Sequence, residues 1–300
     1  MNDIPTMPVK QRAHEQIERH RLEQGPLETE TRNCNALGQT LPAQKMPSRF
    51  VGAADIHSHP LPGIDDGATT LADSVAMLCL AARYGTTIMV ATPHRWYQGH
   101  ENTPELLLHL TYEVEQALAK THCGSYIQII AGQEVPLRPE TGDELKHRRL
   151  LTFGDKGKYL LVEPPFDHLP DWTVPALASI LEVGVIPIFA HPERNTAVQR
   201  DPTIMREIAD SGALIQLTAM SIEGFNGDRA RSAARWIIDN GLATVIASDS
   251  HSPTAWRPPT MRGAYHVVRT DYNERLARRL CIENPRAIAL SEEIPVQETI

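Results

Sequence analysis

Several kinds of signal are missing from this 300-residue chain. Its four cysteines, Cys34, Cys79, Cys123 and Cys281, include no C-x-x-C pair, so neither a zinc knuckle nor a dithiol redox motif is written. None of them begins a C-x5-R loop, which argues against chemistry through a cysteinyl phosphate of that type. Cys79, inside the helix-like apolar run 76–82, reads as a small buried hydrophobe. Neither G-x-G-x-x-G nor G-x4-G-K-[ST] occurs, so there is no Gly-rich phosphate loop. No apolar stretch approaches the roughly 20 residues that cross a bilayer, and insertion into a membrane is not expected. Residues 1–10 lack the apolar core of a signal peptide, so export by that route is not expected. Positive charge is also in short supply. Twenty-nine Lys and Arg against 37 Asp and Glu leave a formal charge of −8, which disfavours nucleic acid as a partner. A small anionic substrate is still compatible, because metal ions can make a local site cationic.

What is present divides into two regions. Residues 1–48 are rich in Glu, Gln, Arg, Thr and Pro and poor in large apolar residues. Within them 11–24 reads as a weak charged helix and 25–47 as a linker, so the segment is expected to be a polar extension outside the core. The second region, 49–300, alternates short apolar runs with amphipathic stretches. Strands are expected near 51–56, 86–92, 126–133, 159–163, 185–190, 213–218 and 243–248. Helices are expected near 71–84, 104–120, 171–183, 202–211 and 228–240, with 136–152 less regular. Asn102-Thr103-Pro104-Glu105 has the composition of a helix start. Gly85, Gly184, Gly212 and Gly241 stand between helix and strand, as C-terminal caps do. A strand–helix repeat of about 30 residues implies parallel strands with crossover helices. Seven such units suit a (β/α) barrel with one unit fewer than eight. An open doubly wound sheet is the second choice, because it would concentrate chemistry at one switch point.

The chemistry lies at the ends of those strands. His57 and His59 close the first, His94 follows the second, Glu134 the third and Glu163 the fourth. His191 ends the fifth, and Asp249 and His251 end the last. The sixth carries no obvious ligand. Residues i and i+2 at a strand end point to one side, which pairs His57 with His59 and Asp249 with His251. Each residue alone has an ordinary reading: a structural histidine, an ion-paired carboxylate, or, for Asp65-Asp66-Gly67, a turn. Their common position at one rim of a barrel is what makes a metal site the joint reading. Five imidazoles and four carboxylates exceed the four ligands of one zinc and suit two or three divalent ions, with Mn, Fe or Zn all compatible.

Six stretches carry a resemblance. They are His57-Ser58-His59, Gly63-Ile64-Asp65-Asp66-Gly67, Thr92-Pro93-His94, His191-Pro192-Glu193-Arg194-Asn195, Ala247-Ser248-Asp249-Ser250-His251 and Arg257-Pro258-Pro259. In order and spacing they resemble the PHP (polymerase and histidinol phosphatase) superfamily. Within it, the chain is similar to the CpsB/CapC family of bacterial manganese-dependent protein-tyrosine phosphatases. The resemblance implies an α/β fold, a distorted seven-stranded (β/α) barrel of PHP type, in the cytoplasm. It implies metal ligands at His57, His59, Asp66, His94, Glu134, Glu163, His191, Asp249 and His251, and phosphate-binding arginines at Arg194 and Arg257. It also implies a phosphotyrosine-bearing partner, a tyrosine kinase of capsule or exopolysaccharide synthesis. Two departures stand out, the 48-residue extension and Gln133, where small residues are common. A phosphoesterase for a small phosphomonoester and a catalytically silent regulatory subunit are the competing functions. Trp96 and Tyr97, and Trp256 beside Arg257, are loop aromatics that can either stack on a substrate ring or simply pack.

Overall fold

The computed structural model describes Phe50, residues 52–254 and residues 257–295. The extension 1–48 and Trp256 lie outside these residues. The fold is mixed α/β with parallel sheets. In chain order the strands are β1 (Ala53–Ser58), β2 (Thr86–Ala91), β3 (Trp96–Tyr97), β4 (His100–Glu101), β5 (Gln128–Ala131), β6 (Glu134–Pro136), β7 (Tyr159–Glu163), β8 (Ile186–Ala190), β9 (Leu214–Thr218) and β10 (Val245–Ala247). β1, β2 and β5 form one sheet in the order β1-β2-β5, and a second sheet runs β10-β9-β8-β7-β6. All pairings within these two sheets are parallel. β3 and β4 make a small antiparallel hairpin.

Seven apolar runs therefore give eight parallel strands, because the third run breaks at Gly132-Gln133. A Cβ at Gly132 would stand 2.9 Å from both Phe153 Cδ1 and Val90 Cγ1. Any side chain there would force Phe153 or Val90 to shift, which favours glycine. The ladder to β2 ends at Ala131, and pairing resumes on the other side, with Glu134 opposite Leu161 of β7. Two isolated parallel bridges join the sheets, His94 with Glu134 and Ser58 with Ser250. Asp55 reinforces the second junction: its carboxylate accepts from the Ser248 amide at 3.0 Å and from the Ser248 hydroxyl.

Alternation along the strands sorts side chains between two environments. Ala54, Ile56, Ile88, Val90, Leu161, Ile188, Val245 and Ala247, drawn from both sheets, pack with Phe153 and Ile288 in one common core. The intervening residues, such as Met89 in one sheet and Leu160 and Phe189 in the other, pack under helices. Burial on both faces explains why these strands read as continuous apolar runs.

The helices are α1 (Leu71–Arg83), α2 (Pro104–Leu118), α3 (Thr141–Lys146), α4 (Thr173–Glu182), α5 (Thr196–Arg200), α6 (Met205–Asp210), α7 (Ala219–Glu223), α8 (Asp228–Asp239), α9 (Arg262–Asp271), α10 (Glu274–Arg278) and α11 (Asn284–Ala289). Thr70 and Asp73 close a capping box on α1. α2 starts as its sequence implies, with Thr103 accepting from the Leu106 amide and Pro104 in the first turn. Gly85, Gly184, Gly212 and Gly241 all have positive φ where helices give way to strands. The 202–211 helix is split, with a 3-10 turn over Pro202–Ile204 ahead of α6. α11 contributes Ile288 to the shared core, and Asn284 Nδ2 ties it to the Thr244 carbonyl at 2.8 Å. Cys79 is buried in the core, as its apolar run implies, and it also has a partner. Its sulfur lies within bonding distance of Cys123, with Cα atoms 5.3 Å apart, a pairing across 44 residues that local spacing does not announce.

Candidate metal centre

The strand ends of both sheets converge on one cluster. Four overlapping groups hold all nine expected ligand residues: His59, Asp66, His94 and His251; His57, His59 and Glu134; His57, His191 and Asp249; His94, Glu134 and Glu163. In each group the donor atoms lie within 4.8 Å of one another. Glu134 is the hub. Its Oε1 lies 3.2 Å from both His57 Nε2 and His191 Nε2, and its Oε2 lies 3.0 Å from His94 Nδ1 and 3.4 Å from His59 Nε2. Asp249 Oδ1 faces His57 Nε2 at 3.4 Å and His59 Nε2 at 3.6 Å. Asp66 Oδ1 reaches His251 Nε2 at 3.2 Å and His94 Nε2 at 3.5 Å.

These spacings fit divalent cations. Two donors about 2.1 Å from one ion, at tetrahedral or octahedral angles, stand about 3.0–3.4 Å apart. The chemistry of the contacts agrees. His57 Nε2 and His59 Nε2 face each other at 3.3 Å, both fully buried, and Glu134 Oε2 is buried without a well-aligned hydrogen bond. Such an arrangement leaves imidazole lone pairs and carboxylate charge directed at a common point, which is costly unless a cation meets them.

The electrostatics show the same crowding. Burial pushes the His57 and His59 imidazoles down, but the facing carboxylates outweigh it and hold both above the ordinary histidine value. Burial raises Glu134 and Asp249, and the surrounding His charges overcome it, leaving both carboxyls well below the usual range. Glu163 goes the other way. Burial and the neighbouring charge of Glu134 push it up to about 7. Burial, with the positive Arg194 nearby, takes His191 down to about 4.

A pH dependence of metal uptake follows. Glu163 could bind a metal ion only as the carboxylate, and a group pushed up to about 7 would carry its proton at lower pH. Metal must then expel that proton, and also protons from His57, His59 and His94, whose values are raised as well. Apparent affinity should therefore fall as pH drops from 8 to 6, by up to about tenfold per unit for each proton displaced. Calorimetric titration in buffers of different ionisation enthalpy would count more protons released at pH 6 than at pH 8. Equal counts would contradict this account.

Three residues of the site hold left-handed backbone without being glycine: His191 (φ 33°), Asp249 (φ 53°) and Arg257 (φ 50°). Non-glycine residues are uncommon there, and surrounding contacts must hold them. Gln216, on the strand that carried no evident ligand, is one source of those contacts. Its Oε1 lies 3.1 Å from His57 Nδ1 and accepts from the His191 amide at 3.2 Å. That fixes Nε2 of His57 toward the cluster. A glutamine between Ile215 and Leu217 on a buried strand was the signal available in the sequence. Asp65, next to Asp66, has a different task. Its Oδ2 pairs with His59 Nδ1 at 2.7 Å and accepts from the His94 amide at 3.2 Å.

Gln133 is also a brace. Its Nε2 donates to the Asn102 carbonyl at 2.7 Å, and its Oε1 accepts from the Leu151 amide. Asn102 in turn donates to the carbonyls of Ile64 and His94, linking the loops that carry Asp66, His94 and Glu134.

Both expected arginines lie against the cluster. Arg194 Nη1 donates to Asp249 Oδ2 at 2.7 Å, and Arg257 Nη2 also reaches Asp249 Oδ2. Arg257 Nε further donates to the Asp249 carbonyl at 3.1 Å. Trp96 lies outside this group. Its ring stacks on Arg95, which is locked to Glu101 and Glu144.

Comparison with known proteins agrees with the geometry. A family model described as capsular polysaccharide synthesis, CpsB/CapC, matches residues 53–290. Tyrosine-protein phosphatase YwqE of Bacillus subtilis is 30% identical over 240 residues, covering 80% of this chain and 92% of YwqE. Putative tyrosine-protein phosphatase CapC of Staphylococcus aureus is 30% identical over 250 residues, 81% of this chain and 95% of its own. A solved structure from work on YwqE and on CpsB of Streptococcus pneumoniae, described as metal-dependent tyrosine phosphatases, superposes with a TM-score of 0.77. It shares 30% identity and covers 81% of this chain and 97% of that one.

Proposed function

The chain belongs to the CpsB/CapC family of capsular polysaccharide synthesis, and from that premise we propose that it hydrolyses protein phosphotyrosine with divalent metal ions. The observation that carries this reading is one cluster of nine His and carboxylate donors, its interior buried and its edge open at Asp66, His94 and Glu163, flanked by Arg194 and Arg257. His57, His59, Asp66, His94, Glu134, Glu163, His191, Asp249 and His251 hold two or three ions, with Mn²⁺ the preferred metal. The substrate is a tyrosine kinase controlling capsule or exopolysaccharide synthesis, met in the cytoplasm, and 49–300 is the catalytic unit. The two bridges and the common core support reading the sheets as one distorted seven-stranded barrel, with β5 and β6 as a single broken strand.

Ions bound there supply Lewis-acid charge and a source of hydroxide at neutral pH. The chain's own residues do the rest. Arg194 and Arg257 point guanidinium groups at the same carboxylate oxygen of Asp249, so a phosphate dianion entering there meets two planar donors suited to its oxygens. Gln216 and Asp65 keep the His57 and His59 rings oriented, so the donor set is preorganised. The tyrosine leaving group needs little help, since a phenol has a pKa near 10.

The test compares phosphate release from a phosphotyrosine peptide and an aliphatic phosphomonoester, before and after chelation and with Mn²⁺ restored. Metal-dependent turnover of the peptide is expected, with the aliphatic ester much slower. Preference for the aliphatic ester would favour a small-metabolite phosphoesterase. A folded protein that turns over neither would favour the regulatory role.

A further inference from the structure

Among the described residues, the aromatic side chain of Phe166 stands beside Arg194 with no evident structural duty. Phe166 is 58% exposed, although a large apolar ring is ordinarily driven inward. It lies on the loop that leaves β7 directly after Glu163, a member of the cluster. The Arg194 guanidinium sits over its ring, 5.7 Å from the centroid, while Nη1 of the same arginine holds Asp249.

The loop is held firmly. Pro164 and Pro165 restrict its entry. Asn195 Nδ2 donates to the carbonyls of Pro165 and His168 at 2.6 and 3.0 Å. The Thr196 amide donates to the Phe166 carbonyl at 3.3 Å, and the Thr196 hydroxyl to that of Asp167 at 2.6 Å. The segment that supplies Arg194 thus also fixes the ring beside it. Trp96 and Phe225 are exposed too, but Trp96 caps an arginine committed elsewhere, and no contact ties Phe225 to Arg194 or Arg257 among the described residues.

We infer that Phe166 is a specificity-determining residue, the aromatic wall against which the phenyl ring of a phosphotyrosine lies when Arg194 takes its phosphate. This rests on the phosphatase reading above. An aliphatic phosphoester has no ring to offer, so the wall favours aryl over alkyl phosphates. Aromatic pairs of this kind change affinity by about three- to tenfold.

The experiment takes the full chain loaded with Mn²⁺ and measures kcat and KM for a phosphotyrosine peptide and for glycerol phosphate. In parallel, it measures affinity for a peptide bearing a phosphonate analogue of phosphotyrosine. Phe166→Leu keeps apolar bulk without the ring, and Phe166→Tyr keeps the ring. With leucine, KM for the phosphotyrosine peptide should rise three- to tenfold at nearly unchanged kcat, and analogue affinity should fall equally. Turnover of glycerol phosphate and inhibition by inorganic phosphate should not move. Tyrosine should restore both peptide readouts. If leucine serves as well as phenylalanine, or if both substrates and phosphate inhibition weaken together, the ring does not read the substrate and the inference is wrong. If the wild-type protein fails to hydrolyse the phosphotyrosine peptide at all, the phosphatase reading itself fails first, and the two failures are distinguished.

Discussion

Asp249→Ala should lower turnover by about 10³-fold or more and strip metal from the site. The Asp249 side chain joins the histidines of the cluster to both arginines. One oxygen of Asp249 faces His57, His59 and His251, and the other takes both Arg194 and Arg257. Removing it deletes a cluster donor and leaves two guanidinium groups without their anion. Breaking a buried pair in this way costs about 3–5 kcal/mol, because the remaining charge is uncompensated. Asp249→Asn is the better control for folding, since asparagine tolerates the left-handed backbone at this position and keeps an acceptor. Elemental analysis and phosphotyrosine turnover should fall together in both variants, with circular dichroism unchanged for the asparagine form. Undiminished metal content and activity in Asp249→Ala would remove this cluster from the mechanism.

Chelation should produce the second large effect, on stability. An ion present at about 1,000 times its dissociation constant contributes about 4 kcal/mol to the folded state. For a domain of this size each kcal/mol moves Tm by about 2–4 °C, so stripping the site should lower Tm by about 10 °C or more. The loss should also be local. The junctions between the sheets lie beside the ligands, at the His94–Glu134 and Ser58–Ser250 bridges. Amides crossing them, including those of His59, Arg95, Glu134 and Asp249, donate to Ser250, Glu134, Pro93 and His57. Their hydrogen exchange should accelerate after chelation, while the ladder from β7 to β9 stays protected. A Tm that ignores chelator would mean that these donors are satisfied without metal.

The parts of this protein that were legible in advance are those written in local patterns. Buried parallel strands must be apolar throughout, so their ends stand out wherever a histidine or carboxylate interrupts the run, as at His94, Glu134 and His191. Helix starts and glycine caps obey short-range rules, and Thr103 and Gly85 could be read from their neighbours alone. The rest depends on contacts between distant segments. The room for nothing larger than glycine at 132 is set by Phe153 and Val90, far away in sequence. Nothing near Gln216 or Asn102 in sequence shows that their amides hold His57 and His94. Asp65 and Asp66 look alike in the chain, and only the fold turns one onto His59 Nδ1 and the other toward His251. The pairing of Cys79 with Cys123 carries no local signature of that kind, whereas the C-terminal helices do, in the Asn273 cap of α10 and Pro285 in the first turn of α11.

The sharing of donors between groups has a consequence for how the protein meets an anion. Asp66, Glu134, Glu163 and Asp249 bring four carboxylates to one cluster in a chain whose net charge is −8. Divalent ions bound there would neutralise them, and any charge in excess, together with Arg194 and Arg257, would make the mouth of the site cationic. Field lines from that mouth would stand out against an acidic surface and draw a phosphorylated segment inward. Metal occupancy would then act as a gain control on substrate capture, set by the supply of divalent cations around the protein.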